Sequence, residues 1–431
     1  VQMHVDHGQI FRPITKATLR LTPETARQAT DEAIRLALAE RPGPVHLDLP
    51  VDVAEAPDKG TGGTDGTEGV RGFAPASIPL PSAASLRRAA ALLQQARKPL
   101  LVLGLGLTRA RAQEELARFL QRHRLPVLTT FMAKGLVPED SPLCAGVLGG
   151  RKDRLQELLA QADLIVAVGY DPVEVAPEEW APPGMPILRL DTVPADLGPL
   201  YPVAGDCLGD LRCALAYLAE VPPCHHAWNL DTLRRGTWEA LATDLAQVKG
   251  FAPHHVLEAL REALPRDGIL ACDVGAHAHL VRQFWPAYEP GTLLVSNGWS
   301  SMGFGIPAAI AARLILPRRR VACLVGDGGL LMMMGELWTA ARLRLPVVFT
   351  ALVDGELTLI RHRQERKGVP IHGTALFPPD AAPIRLSGGG VTGVIAHSLE
   401  GYRRALREAF ARDHPTLIQA VVDPAEYRLL V

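Results

Sequence analysis

Along this chain the apolar residues gather into short unbroken runs separated by amphipathic stretches. Val321-Ala322-Cys323-Leu324-Val325 and Val347-Val348-Phe349-Thr350-Ala351-Leu352-Val353 lack polar alternation. Short β-rich runs of this kind predict strands buried on both faces, as in a parallel sheet. Between them, residues 335–345 have helical character through Glu336, Leu337, Trp338, Ala340, Ala341 and Leu343, so the unit predicts β-α-β. Each strand ends on an aspartate: Asp327 in Gly326-Asp327-Gly328-Gly329, and Asp354 in Val353-Asp354-Gly355. Parallel strands joined by a helix point their carboxyl ends the same way, and ligands of open α/β sheets bind just beyond those ends. Two carboxylates are therefore expected in one crevice, beside a glycine turn with free backbone N–H groups.

Similar runs recur upstream. Those at 99–105, 126–130, 163–169 and 187–190, with helices between, predict a doubly wound domain over 82–221. A second domain is expected over 251–431. There a strand at 268–271 precedes Cys272-Asp273-Val274-Gly275-Ala276-His277, and a helix at 399–411 precedes a strand at 416–422. Residues 1–54 offer one helix (23–40) and one strand (45–50), too little to bury a core alone. The Gly-, Thr- and Pro-rich residues 55–81 predict a flexible linker, and 222–250 a second one. The expected fold class is α/β: two doubly wound parallel-sheet domains plus the C-terminal part of a third.

Composition narrows the function. The 431 residues are 48% hydrophobic and 21% charged, with a formal net charge of −1, which gives no argument for nucleic acid or a membrane surface. No stretch offers 18 uninterrupted apolar residues; the best, 305–316, is broken by Pro307 and Arg313. The six cysteines form no CxxC pair, which suits a reducing cytoplasm. Cys224-His225-His226 and His254-His255 lack ligand-like spacing and read as solvated groups. Gly104-x-Gly106 lacks the third glycine of a dinucleotide fingerprint, Arg109 standing there, and Gly388 to Gly393 leads into a strand instead of a helix. The basic residues of 359–368 could meet a carboxylate substrate, although an exposed charged helix face is the commoner explanation. Two carboxylates repel an anionic phosphate, so the Asp327–Asp354 pair points to Mg²⁺ bound to a diphosphate.

With the two aspartates 27 positions apart, the segment resembles the cofactor signature of thiamine-diphosphate enzymes, and the chain as a whole resembles the acetolactate synthase large subunit. The resemblance implies that Asp327, Asp354 and the Glu356 carbonyl bind the metal, and that Gly326, Gly328 and Gly329 form the diphosphate turn. Ser301, Met302 and the glycines after them resemble the family's turn before a helix, with Met302 as the apolar wedge under the bent cofactor. Gly275 and His277 would reach the diphosphate. Val353-Asp354 departs from the usual Asn-Asn, adding one negative charge. Residues 11–16 and 41–53 resemble the last third of the pyrimidine-binding domain. The activating glutamate is thus expected upstream of Val1, and the isolated chain is expected to turn over little. Tyr170-Asp171-Pro172-Val173-Glu174 is similar to the FAD-independent type, so FAD is not expected. The resemblance also implies a 2-oxo acid substrate, pyruvate converted to 2-acetolactate, and a homodimer or homotetramer with the site between subunits. A relative acting on another 2-oxo acid, of benzoylformate or hydroxyacyl-CoA type, and a non-catalytic cofactor-binding member are the alternatives.

Overall fold

The computed structural model describes residues 5–57, 77–149, 152–194, 197–198, 200–230, 233, 248–378 and 386–429. Most of the expected linker 55–81 and much of 222–250 lie outside them. By contacts the chain divides into two compact units, residues 1–80 with 192–194, and residues 81–191 with 195–431.

The first unit holds two short parallel strands, β1 (Thr18–Arg20) and β2 (His46–Asp48), with helix Ala26–Leu38 between them. The Phe11 ring stacks on His46 at 4.5 Å, and the Lys16 ammonium donates to the carbonyls of Ala39 and Arg41 at 2.8 and 3.0 Å. β1 was missed because three residues carry too little periodicity to register.

The second unit contains two six-stranded sheets, parallel throughout. The first is built from β3 (Pro99–Leu103), β4 (Val127–Thr129), β5 (Cys144–Val147), β6 (Leu164–Val168), β7 (Ile187–Asp191) and β8 (Val203–Leu208), in the order β5-β4-β3-β6-β7-β8. The second is built from β9 (Ile269–Cys272), β10 (Leu293–Val295), β11 (Val321–Gly326), β12 (Val348–Val353), β13 (Thr392–Ala396) and β14 (Thr416–Val421), in the order β10-β9-β11-β12-β14-β13. Every residue of β3, β6, β7 and β12 is buried, as helices on both faces require. The polar Arg189 is tolerated inside β7 because its guanidinium pairs with Asp206 of β8 at 2.9 Å. β5, β8 and β10, absent from the sequence reading, are edge strands, β5 and β10 short and β8 interrupted by Gly205 and Asp206. The sequence also ran the first strand to 105, whereas the chain turns at Gly104 and enters helix Leu105–Ala110.

The loop after β4 carries a dry ion pair whose two members bond to elements of the second sheet. The Lys134 ammonium lies 2.6 Å from the Glu139 carboxylate, both side chains almost inaccessible. Lys134 also donates to the Arg282 carbonyl at 2.9 Å, and the Glu139 N–H to the Ala287 carbonyl at 3.1 Å. The polar loop after β4 is thereby stitched to helix Ala276–Phe284 and the turn after it. Removing one member of a buried pair strands the other charge in a low dielectric. Lys134→Ala is therefore expected to destabilise by about 3–5 kcal/mol in urea unfolding, and the apolar pair Lys134→Met with Glu139→Leu to recover most of the loss.

Candidate active site

In the second sheet the chain leaves β9 toward β10 on one side and resumes at β11 on the other, so the strand order reverses between β9 and β11. Ligand crevices form outside the carboxyl ends at such a point. There the loops after β9, β11 and β12 surround a cavity of ≈ 470 Å³, lined among others by Gly275, His277, Met302, Gly326, Asp327, Gly328, Gly329, Asp354 and Glu356. Ser301 is exposed beside the cavity and Ser300, at φ 49°, lines it.

Pairing of β11 with β12 sets the carboxylate geometry. Gly326 stands opposite Leu352, so Asp327 and Asp354 follow on neighbouring strand ends. Asp327 Oδ2 accepts from the N–H groups of Asp354 and Gly355 at 3.2 and 2.7 Å, and Oδ1 from that of Gly328 at 2.8 Å. Asp354 Oδ1 accepts from the Glu356 N–H at 3.1 Å, and Oδ2 from the Thr358 hydroxyl at 2.7 Å. Burial raises the Asp327 pKa against these hydrogen bonds. Burial and the neighbouring Asp327 charge push Asp354 up to about 7. Two buried carboxylates that resist ionising side by side suit a hard divalent cation, whose charge would offset both penalties. Among the described residues no cluster of three or more His, Cys, Asp or Glu side chains could hold a metal. The Glu356 carboxylate is taken by Arg361 at 2.5 Å. The bridge from Glu356 to Ala375 uses the Gly355 carbonyl and the Leu357 N–H, leaving the Glu356 carbonyl out of that pairing.

The expected glycine turn is a helix start: Asp327 opens helix Asp327–Met333 directly from β11. A Cβ on Gly329 would fall 1.9 Å from Asp273 Oδ2, so glycine is demanded there. Asp273, which the sequence reading left without a role, is buried after β9 and accepts from the N–H groups of Gly303 and Gly305 at 3.1 and 3.2 Å. One carboxylate thus holds the loop bearing Met302 against the helix start bearing Gly329. The Met302 Cε lies over the Gly328 backbone, 3.1 Å from where a Cβ would stand. His277 is buried, its Nε2 without a hydrogen-bond partner, and burial lowers its pKa, so a neutral ring faces the cavity.

Further lining residues escaped the sequence reading: Phe131, His279, Arg282, Thr358 and Tyr427 among them. On helix Thr358–Arg366 the basic residues divide. Arg361 pairs with Glu356 and Glu365 as an ordinary helix face would, whereas Arg363 lines the cavity. The solvated reading of the histidine clusters holds for the exposed His225 and is otherwise corrected. His254 is buried against Glu426, the Ala252 N–H donates to His255 Nδ1 at 3.2 Å, and Cys224 is buried with its N–H donating to His123 Nδ1 at 3.1 Å. These groups cap turns, a use of histidine that residue spacing does not reveal.

At the reversal point of the first sheet, between β3 and β6, the backbones of Gly104 and Gly169 approach closely. A Cβ on Gly104 would stand 2.3 Å from the Gly169 carbonyl oxygen. The Glu174 carboxylate accepts from the Leu105 N–H at 2.9 Å and from the Thr130 hydroxyl, at the place where a dinucleotide phosphate would meet a helix start.

One pH dependence follows from Asp354. With its pKa raised to about 7, the folded protein without metal keeps a proton that the unfolded chain, titrating near pH 4, has already lost. Stability therefore falls as pH rises from about 4 to 7. In thermal melts with a chelator, Asp354→Asn is expected to match the parent near pH 4 and to exceed it at pH 8. A difference independent of pH would contradict the assignment.

Comparison with known proteins agrees with this geometry. The model of the thiamine pyrophosphate enzyme C-terminal TPP-binding domain matches residues 273–420, and that of the thiamine pyrophosphate enzyme central domain matches residues 86–218. The acetolactate synthase isozyme 1 large subunit of Escherichia coli is 31% identical over 98% of this chain and 75% of its own length. A probable acetolactate synthase large subunit of Methanocaldococcus jannaschii is 28% identical over 98% of this chain and 74% of its own. A probable 2-ketoarginine decarboxylase of Pseudomonas aeruginosa is 31% identical over 96% and 73%. Fold, crevice and relatives converge: the chain belongs to the thiamine-pyrophosphate-dependent enzymes, in the group that contains the acetolactate synthase large subunits.

Proposed function

We propose that this chain carries the diphosphate and metal site of a 2-oxo acid carboligase that converts pyruvate to 2-acetolactate. The observation that carries the reading is the buried Asp327–Asp354 pair at adjacent strand ends, inside a cavity floored by Gly328 and Gly329. Asp327, Asp354 and the Glu356 carbonyl would hold Mg²⁺. Gly275, His277 and the Gly326–Gly329 backbone would face the diphosphate, and Met302 would support the bent cofactor. When bound, thiamine diphosphate supplies a carbon nucleophile and an electron sink for decarboxylation. The chain's own part is positional. Asp273 locks the Met302 loop to the helix start, Thr358 orients Asp354, and Arg361 withholds the Glu356 carboxylate from the metal. Phe131, Met302 and Leu357 give the cavity an apolar wall that limits water. The Glu174 carboxylate, bonded to the helix start after β3, supports a flavin-independent enzyme.

In the same reading residues 82–221 are the central domain, residues 251–431 bind the diphosphate, and the working form is a cytoplasmic homodimer or homotetramer. Among the described residues no helix is long and apolar enough to cross a membrane. The substrate rests on the relatives' names, most of which are acetolactate synthases. A second reading, decarboxylation of a different 2-oxo acid, is favoured by the Pseudomonas relative.

Incubating the full polypeptide with pyruvate, thiamine diphosphate and Mg²⁺, and identifying the products, separates the readings. Acetolactate supports the carboligase, acetaldehyde with carbon dioxide supports a simple decarboxylase, and turnover of only another 2-oxo acid overturns the pyruvate assignment. Asp327→Ala is expected to weaken Mg²⁺-dependent cofactor binding by more than about tenfold, a loss that even outer partners of a metal can cause. Unchanged binding in a fluorescence titration would remove Asp327 from the metal site.

A further inference from the structure

The cavity has a second chemical pole. Arg282, His279 and Arg363 line it together, and the charges of both arginines act on the His279 ring. On helix Ala276–Phe284, Arg282 is half-buried with its ring-facing side over Phe131, 5.0 Å from guanidinium to ring centre. Its Nη1 reaches only the Gly149 carbonyl at 3.4 Å, and its Nε is buried with no hydrogen-bond partner. Glu179 acts on Arg282 from the central domain but lies beyond ion-pair distance. Arg363 makes no ion pair among the described residues, although Arg361, two positions earlier, is held by two carboxylates. The largest charges acting on Asp354 are instead those of Asp327 and Glu356. Acid and base are thus segregated within one cavity.

We propose that Arg282, His279 and Arg363 form an anion subsite that holds a carboxylate which survives the reaction. The assignment deepens the carboligase reading and rests on it. In that reaction the donor's bond to its own carboxylate breaks and carbon dioxide leaves. The electron pair stays on the former carbonyl carbon and forms the new bond to the acceptor's carbonyl carbon, whose oxygen takes a proton. A cation fixed on the departing carboxylate would stabilise the ground state and slow its loss. A cationic wall is matched to a carboxylate that persists from start to finish. An unused buried guanidinium donor and an unpaired arginine beside it are the groups that bind such an oxyanion. The carboxylate could belong to the acceptor 2-oxo acid or to the far end of a dicarboxylic donor. In either case the wall repels a guanidino side chain, which sets this chain apart from a 2-ketoarginine specificity.

The test is calorimetric titration of the full chain, with and without thiamine diphosphate and Mg²⁺, using propionate, glutarate and neutral propionamide. Both anions are expected to bind and propionamide not to. Arg363→Gln and Arg282→Gln should each weaken the anions by about tenfold or more, the scale of one charged hydrogen bond. Similar affinities for propionate and glutarate would identify the acceptor's carboxylate. A glutarate preference of about tenfold that vanishes in Arg363→Gln would identify a distal one. Anion affinities unchanged in both variants overturn the subsite. So does weakened cofactor binding with anion binding intact, since the cations would then serve the diphosphate. Arg363 is exposed, and thermal melts of its variant separate lost binding from lost fold. Failure of the parent to bind thiamine diphosphate with Mg²⁺ counts against the cofactor reading. Failure of the parent to bind either anion while it binds thiamine diphosphate counts against the subsite alone.

Discussion

Parallel pairing of β11 with β12 is the constraint on which the site depends. It places Gly326 opposite Leu352, brings Asp327 and Asp354 out on adjacent strand ends, and lets the Asp327 carboxylate accept the Asp354 N–H. A register slip of one residue would turn every side chain of one strand to the other face and separate the pair. Because β12 is buried throughout, with Phe349 and Ala351 inaccessible, such a slip would cost the core of the sheet as well. Packing energy therefore guards a polar arrangement that is itself unfavourable, two carboxylates losing water beside each other.

Asp273 extends the arrangement to a third strand. Its oxygens engage the Gly303 and Gly305 N–H groups while its side chain fills the space that a Cβ on Gly329 would need. The β9 loop, the Met302 loop and the helix that begins at Asp327 are consequently one rigid seat. The cationic wall across the cavity is less constrained: Arg363 is exposed, and Arg282 keeps an unused donor. The acidic end is set by backbone, and the basic end by long side chains that can adjust to what they hold.

Much of this was legible in the chain. Runs such as 321–325 and 347–353 carry the signature of doubly buried strands, so fold class and both aspartates follow from apolar continuity and topology alone. What escaped depends on contacts between distant segments. Edge strands such as β5 and β8 are too short or too mixed to register. His254 became a buried partner of Glu426, 172 positions away, and no local pattern announces that. Arg361 and Arg363 look alike in sequence; only the course of helix Thr358–Arg366 along the cavity sends one to carboxylates and the other to the lining.

The Lys134–Glu139 clamp has a consequence for motion. Lys134 holds the carbonyl of Arg282, and the Glu139 N–H holds that of Ala287. Helix Ala276–Phe284, which brings His277, His279 and Arg282 to the cavity, is thus anchored at its far end by the other sheet. Fraying of that helix must first break the bond from the buried Lys134 ammonium to the Arg282 carbonyl, which ties local opening of its last turn to that of the surrounding fold. The wall formed by that helix is therefore tied to a neighbour outside the cavity.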